Sequence, residues 1–193
     1  MRRSLLVVLP WLVAACAGGD DAMVRGAPGA GAFGIGHAAT EADLAALNTD
    51  VDPAGRGLPS GRGESERGAA LFQAQCASCH GAKGEGIAPN PVLVGREPRD
   101  SFPFGNDPTL VRTIGNYWPY ATTLFDYIRR TMPLSAPGSL RDDEVYSLTA
   151  FLLVANEVIP AGSALDSASL VAVRMPARDR FVRDNRRGGR EVR

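Results

Sequence analysis

The sequence predicts a small all-α domain set between long irregular N- and C-terminal extensions. Three segments, "SERGAALFQAQCASCHG" at 65–81, "TTLFDYIRRTM" at 122–132 and "SLRDDEVYSLTAFLLVANEVI" at 139–159, carry apolar residues at helical spacing. Between the first and the second lie Gly84, Gly86, Pro89, Pro91, Gly95, Pro98, Pro103, Gly105 and Pro108, which read as loop wrapped over something rather than as sheet. The 193 residues, 45% of them hydrophobic, suffice for one core, while 22 glycines and 14 prolines argue that part of the chain is not compact.

In the first helical segment Ser65 is read as the N-cap, Glu66 favours the positive N-terminal end, and Leu71 and Phe72 lead the apolar face. Gly68 weakens such a helix by about 1 kcal/mol relative to alanine, which makes sense if another helix crosses closely there. The second segment has Thr123 and Asp126 at capping-box spacing and a stripe of Leu124, Tyr127, Ile128 and Thr131, and Pro133 stops it. In the third, Ser139 and Asp142 repeat the capping spacing, Val145, Leu148, Thr149 and Leu152 supply the period, and Pro160 ends it.

The extensions carry addresses and charge. Residues 1–15 read as a signal peptide: Arg2 and Arg3 are followed by an apolar run from Leu5 to Ala15, too short for the roughly 20 residues of a membrane span. "LVAAC" places small residues directly before Cys16, a pattern similar to the lipobox of bacterial lipoproteins, so Cys16 is expected to be lipidated, with ordinary cleavage beside it as the competing reading. An otherwise unpaired thiol in an oxidising compartment favours lipidation. From Arg174 to Arg193 eight arginines oppose three acids, a net +5, whereas Ala17 to Val173 carries 11 basic and 18 acidic residues, a net −7. The tail has no interleaved aromatic beyond Phe181, so it reads as solvated or as a partner contact and not as a nucleic-acid arm.

Chemistry concentrates at "CASCHG", where Cys76 and Cys79 stand three apart with His80 directly after. A structural zinc site needs four ligands, and beyond the motif only Cys16 and His37 remain as soft donors. A thioredoxin-like pair expects a preceding strand, which is missing from the pattern, and a Cys76–Cys79 disulfide closes a tight loop and leaves His80 idle. The C-x-x-C-H spacing instead matches covalent attachment of one haem c, with Cys76 and Cys79 as thioether anchors and His80 as the proximal iron ligand. Thioether sulfur opposite imidazole raises the potential of such an iron. Met1 goes with the leader and Met23 sits just after it, leaving Met132 or Met175. Met132 is preferred because it ends a helix immediately before Pro133 and 52 residues after His80.

"CASCHG", the loop "GEGIAPN", "MP" about fifty residues later and a closing amphipathic helix together resemble a class I cytochrome c. The resemblance implies a small haem fold whose first and last helices cross, here Gly68 and Phe72 against the face bearing Leu148 and Leu152. Wider stretches, "TIGNYWPYATTLFDYIRRTMPLSAPG" among them, are similar to the cytochrome subunit of the Sox sulfane dehydrogenase and related sulfite dehydrogenases, over about Phe33 to Arg186. This implies a periplasmic cytochrome that accepts electrons from a molybdenum-cofactor dehydrogenase subunit and passes them to a soluble cytochrome c, performing no substrate chemistry itself. Some members of that family carry two haem motifs where this chain has one.

The expected organisation is then leader 1–15, linker and extended arm 16–63, haem domain 64–160 and C-terminal extension 161–193 with its basic tail. Trp118 and Tyr120, in "NYWPYATT", are candidates either for packing over the haem or for donating to a propionate. His37, in a glycine-rich stretch, reads as a surface residue. Other classes stay open: a general membrane-tethered carrier for another dehydrogenase or oxidase, a haem peroxidase or gas sensor, which needs a vacant distal position, and an assembly module with a structural haem.

Overall fold

The computed structural model describes residues 38–182. The leader, Cys16, Met23, His37 and the arginines from Arg183 onward lie outside the described residues. The chain divides at Leu47 into two units. In the first, a short helix, α1 (Glu41–Leu47), occupies part of the stretch expected to be an irregular arm. Its start is a reciprocal cap: the Thr40 N–H donates to Asp43 Oδ2 at 2.9 Å and the Asp43 N–H to Thr40 Oγ1 at 3.2 Å.

The second unit, from Asn48, runs β1 (Arg62–Glu64), α2 (Ser65–Gln75), α3 (Ala77–His80), α4 (Ala121–Thr131), α5 (Asp142–Ala155), β2 (Ala164–Asp166) and α6 (Ser167–Ala172). The single helix expected over the first segment breaks at Cys76, whose φ of −120° leaves helical geometry. Ser65 is the first helical residue and not the N-cap. Its N–H donates to Ser163 O at 3.0 Å, so a contact from the far end of the chain sets the start. Helix α4 begins at Ala121 without the Thr123–Asp126 cap. Asp126 is instead buried, accepting from the Val51 N–H at 2.9 Å and pairing with Arg130 at 2.5 Å. The buried stripe is Ala121, Leu124, Phe125 and Ile128, with Tyr127 45% exposed. Removing Asp126 leaves the Val51 N–H without its acceptor, so Asp126→Ala is expected to cost about 2 kcal/mol. Urea unfolding, with the midpoint lowered and the slope unchanged, measures that.

Helix α5 also starts later than the Ser139–Asp142 spacing suggests. Arg141 precedes it, and the Arg141 N–H donates to Glu144 Oε2 at 2.9 Å. It ends at Ala155, ahead of Pro160, because Glu157 adopts a left-handed φ of 55° and the Val158 N–H turns back to Leu153 O. Val145, Tyr146, Ala150 and Leu153 on α5 are fully buried, which identifies it as the central element.

The expected crossing is present and tight, but one residue round the helix from the expected face. A Cβ on Gly68 would sit 1.9 Å from the Ser147 carbonyl oxygen and 2.8 Å from Phe151 Cβ, so Ser147 and Phe151, not Leu148 and Leu152, meet the glycine. Phe72 packs on Phe151 with ring centroids 5.0 Å apart.

The flanking segments fold onto this domain, more fully than their irregular pattern implied. Strands β1 and β2 pair antiparallel, Arg62 opposite Asp166 and Glu64 opposite Ala164, adding a two-stranded sheet to the helices. Asp166 and Ser169 then cap α6 reciprocally, and Leu170, Met175 and Ala177 are buried beyond Pro160. On the N-terminal side Val51 is buried, and the Arg129 side chain holds Thr49 O. The Tyr146 hydroxyl donates to Pro59 O at 2.8 Å, with burial pushing that phenol up to about 12. Single apolar residues plug these segments into the core without any period for a sequence reading to detect.

Candidate functional site

The C-terminus of α2 and the single turn α3 place the motif. The Cys76 N–H closes α2 on Phe72 O at 2.9 Å, and Cys76 O accepts from both the Cys79 N–H at 3.1 Å and the His80 N–H at 2.9 Å. Both thiols and the imidazole therefore leave one compact turn. Cys76 is half-buried and Cys79 exposed. Burial, with the neighbouring Cys79 adding to it, pushes the Cys76 thiol up to about 11. A redox-active C-x-x-C pair needs its thiol lowered instead, so the electrostatics disfavour that alternative.

After His80 the chain turns back on itself. Gly81 takes φ +77°, and a Cβ there would meet the Glu85 carboxylate at 2.4 Å. The Gly86 N–H donates to His80 O at 2.7 Å and the Ile87 N–H to Cys79 O at 3.1 Å. Further along, the Leu93 and Val94 N–H groups both reach Gly84 O. This wrapped loop carries Pro91 O to 3.2 Å from His80 Nδ1. A carbonyl only accepts, so Nδ1 holds the proton and Nε2 is left as the donor to a metal.

Met132 caps the C-terminus of α4 in extended geometry (φ −115°, ψ 148°), half-buried and packed against the core. Met175 is 1% exposed inside that core. Trp118 is half-buried edge-on to Tyr127, centroids 5.8 Å apart, and the Arg178 guanidinium lies 4.4 Å over the Tyr120 ring. A buried polar network supports the loop from behind: Thr113 Oγ1 donates to Gly95 O at 2.6 Å, and Asn116 Nδ2 donates to Glu97 O at 2.6 Å and Val111 O at 3.0 Å. Asn156 joins the loop to α5. Sequence reading missed Pro91 O, Thr113, Asn116 and Asn156, since a backbone acceptor has no side-chain identity and a lone asparagine carries no motif.

Comparison with known proteins places this arrangement. The cytochrome c family model matches residues 65–155. One chain of the crystal structure of the sulfane dehydrogenase SoxCD from Paracoccus pantotrophus superposes with a TM-score of 0.69 at 38% identity, covering 79% of this chain and 73% of that one. The chain belongs to the cytochrome c family. As a cytochrome c it is an electron carrier with covalently bound haem c. It is also 35% identical over 104 residues to the thiosulfate dehydrogenase of Allochromatium vinosum, a match that takes in 52% of this cytochrome and 36% of that relative's length.

The residues present fit the group. Two thiols leave one turn, an imidazole is already tied through Nδ1, and a thioether stands at a helix end beside a proline. Arg96 adds an independent sign, because its Nε is buried and has no acceptor among the described residues. An N–H left so costs about 1–3 kcal/mol, and a propionate carboxylate is its natural complement.

Proposed function

We propose that the chain carries one haem c, bonded through thioethers to Cys76 and Cys79 with His80 and Met132 as axial ligands. In this reading it passes single electrons from a molybdenum-dependent sulfane or sulfite dehydrogenase subunit to a soluble cytochrome c. When bound, the haem supplies an iron that cycles between ferric and ferrous. The protein's part would be to supply the residues that hold the group, Cys76 and Cys79 for its covalent bonds and His80 and Met132 for its iron. His80 presents Nε2 while Pro91 O holds Nδ1–H, a bond that raises the basicity of the ring. Met132, at a helix end where the backbone turns extended, supplies the soft ligand that favours the ferrous state. Trp118 and Tyr120 remain candidates for covering the haem or donating to a propionate, and Arg96, with its unpartnered Nε, is a further candidate donor.

The observation that carries the dehydrogenase partner is the 38% identity with the SoxCD chain over 79% of this one. Export to the periplasm and tethering through a lipid on Cys16 rest on the leader. Stopped-flow mixing of the oxidised cytochrome with an active molybdenum dehydrogenase and sulfite or a sulfane donor is expected to reduce the haem rapidly. A haem that stays oxidised there, while another dehydrogenase reduces it, returns the chain to the class of general carriers. The thiosulfate dehydrogenase match favours a second reading, direct oxidation of a sulfur compound at the haem. Reduction by thiosulfate with no other protein present would establish it.

The axial pair has its own test. Met132→Ala is expected to abolish the near-infrared charge-transfer band of methionine-ligated ferric haem and to lower the potential. Met175→Ala is expected to keep the band and lose about 2–5 kcal/mol of stability as a core truncation. The reverse pattern assigns the ligand to Met175.

A further inference from the structure

Asn156 is wholly buried, and every hydrogen-bonding group of its side chain is engaged. Its Oδ1 accepts from the Gly95 N–H at 2.9 Å, and its Nδ2 donates to Leu93 O at 3.2 Å and to Leu152 O at 2.8 Å. Burial alone does not call for an asparagine at the end of an apolar helix, where leucine would fill the space without any polar group to satisfy. The pattern it meets is specific. Leu93 O and Gly95 N lie on one segment two residues apart, and only a side chain with a donor and an acceptor on one short planar group grips both. Leu93 O also receives the Ile114 N–H at 3.1 Å, and Gly95 O receives Thr113 Oγ1. Gly115 keeps the space open: a Cβ there would stand 2.6 Å from Asn156 Oδ1 and 2.5 Å from Gly95 O.

The segment so clamped begins two residues after Pro91, whose carbonyl holds His80 Nδ1. Proline has no N–H of its own to anchor it. Upstream of Pro91 the loop is held by the Ile87 N–H on Cys79 O and the Asn90 N–H on Ile87 O at 2.8 Å, and downstream by Leu93 and Val94 on Gly84 O and by Asn156 on α5, so the position of the Pro91 carbonyl depends on ties on both sides. We infer that Asn156 is a positioning residue for the proximal ligand: by clamping Leu93 and Gly95 onto the end of α5 it fixes the Pro91 carbonyl against His80 Nδ1, and through that bond it sets the potential of the iron. The inference rests on the reading of His80 as a ligand. Loosening the clamp lengthens the Nδ1–H···O bond, makes the imidazole a weaker donor and favours the ferrous form.

The test uses the haem-loaded full chain. Asn156→Asp keeps the volume and the acceptor to Gly95 but loses the donor to Leu93, and Asn156→Ala loses both, so the first stays informative if the second does not fold. Both are expected to retain covalent haem, to shift the redox equilibrium severalfold toward the reduced form, and to speed solvent exchange of the His80 ring Nδ1 proton seen by NMR. Val51→Ala, a core truncation on the segment tied to Asp126 of α4, is the control and is expected to change neither. Asn156 variants that are destabilised yet keep the wild-type potential and ring-proton exchange would overturn the proposal and leave Asn156 a structural residue. Iron-shifted signals of His80 missing from the unsubstituted holoprotein would overturn the ligand reading and this inference with it, and that result is distinguishable because it appears without any change at Asn156.

Discussion

Gly68→Val is expected to leave the chain without a cooperative folded state. The helices α2 and α5 approach at Gly68 so closely that a single added carbon would stand 1.9 Å from the Ser147 carbonyl oxygen and 2.5 Å from its carbon. Both obstacles are backbone in the middle of the most buried helix, so no side-chain rotation relieves the contact. Overpacking a core where side chains can shift costs about 1–3 kcal/mol. Here the helices must separate, which opens the Phe72–Phe151 contact as well, and the loss should exceed about 4 kcal/mol, a large part of a small domain's stability. Gly63 faces the same helix, with a virtual Cβ 2.1 Å from Ser147 N, so the crossing has no slack on that side either. Thermal unfolding followed by circular dichroism decides: a Gly68→Val protein melting within a few degrees of wild type would show that the crossing is looser than described.

The second large effect is covalent. Wild-type haem is expected to stay with the polypeptide through acid-acetone extraction and denaturing electrophoresis, and in Cys76→Ala/Cys79→Ala all of it should be released. Each thiol supplies one thioether, and Cys76 and Cys79 leave the same single turn. With His80 retained, the double variant can still coordinate iron, so an absorption spectrum alone does not separate the two cases. The in-gel haem stain does. Haem that migrates with the denatured double variant would remove these cysteines from the site.

The three main helices were legible because each buries a stripe long enough to show a period, and the C-x-x-C-H site because its groups are contiguous. Helix starts were not. Thr123 with Asp126 and Ser139 with Asp142 have the right spacing, yet Asp126 is drawn away by the Val51 N–H and Arg130, and the Ser65 N–H is satisfied by Ser163 O, just ahead of β2 and about a hundred residues on. Tertiary partners outcompeted local caps in both places. The crossing was foreseen at Gly68 but placed a residue off on α5, because a helix buried all round offers no single apolar face from which to choose. Val51, Leu165, Leu170 and Met175 enter the core singly, which is why the arm and the extension looked unstructured.

The crossing of α2 with α5 also sets an order of events during synthesis. Helix α2 ends at Gln75, but the helix it packs against is complete only at Ala155, and β1 finds its partner strand only at Ala164. An isolated 11-residue helix interrupted by Gly68 is marginal in water. The segment bearing Cys76, Cys79 and His80 therefore emerges long before anything exists to lock it in place, and both thiols remain open to attachment chemistry for the roughly eighty residues that follow. Closure of the domain is the last step, and only with it does Cys76 become half-buried.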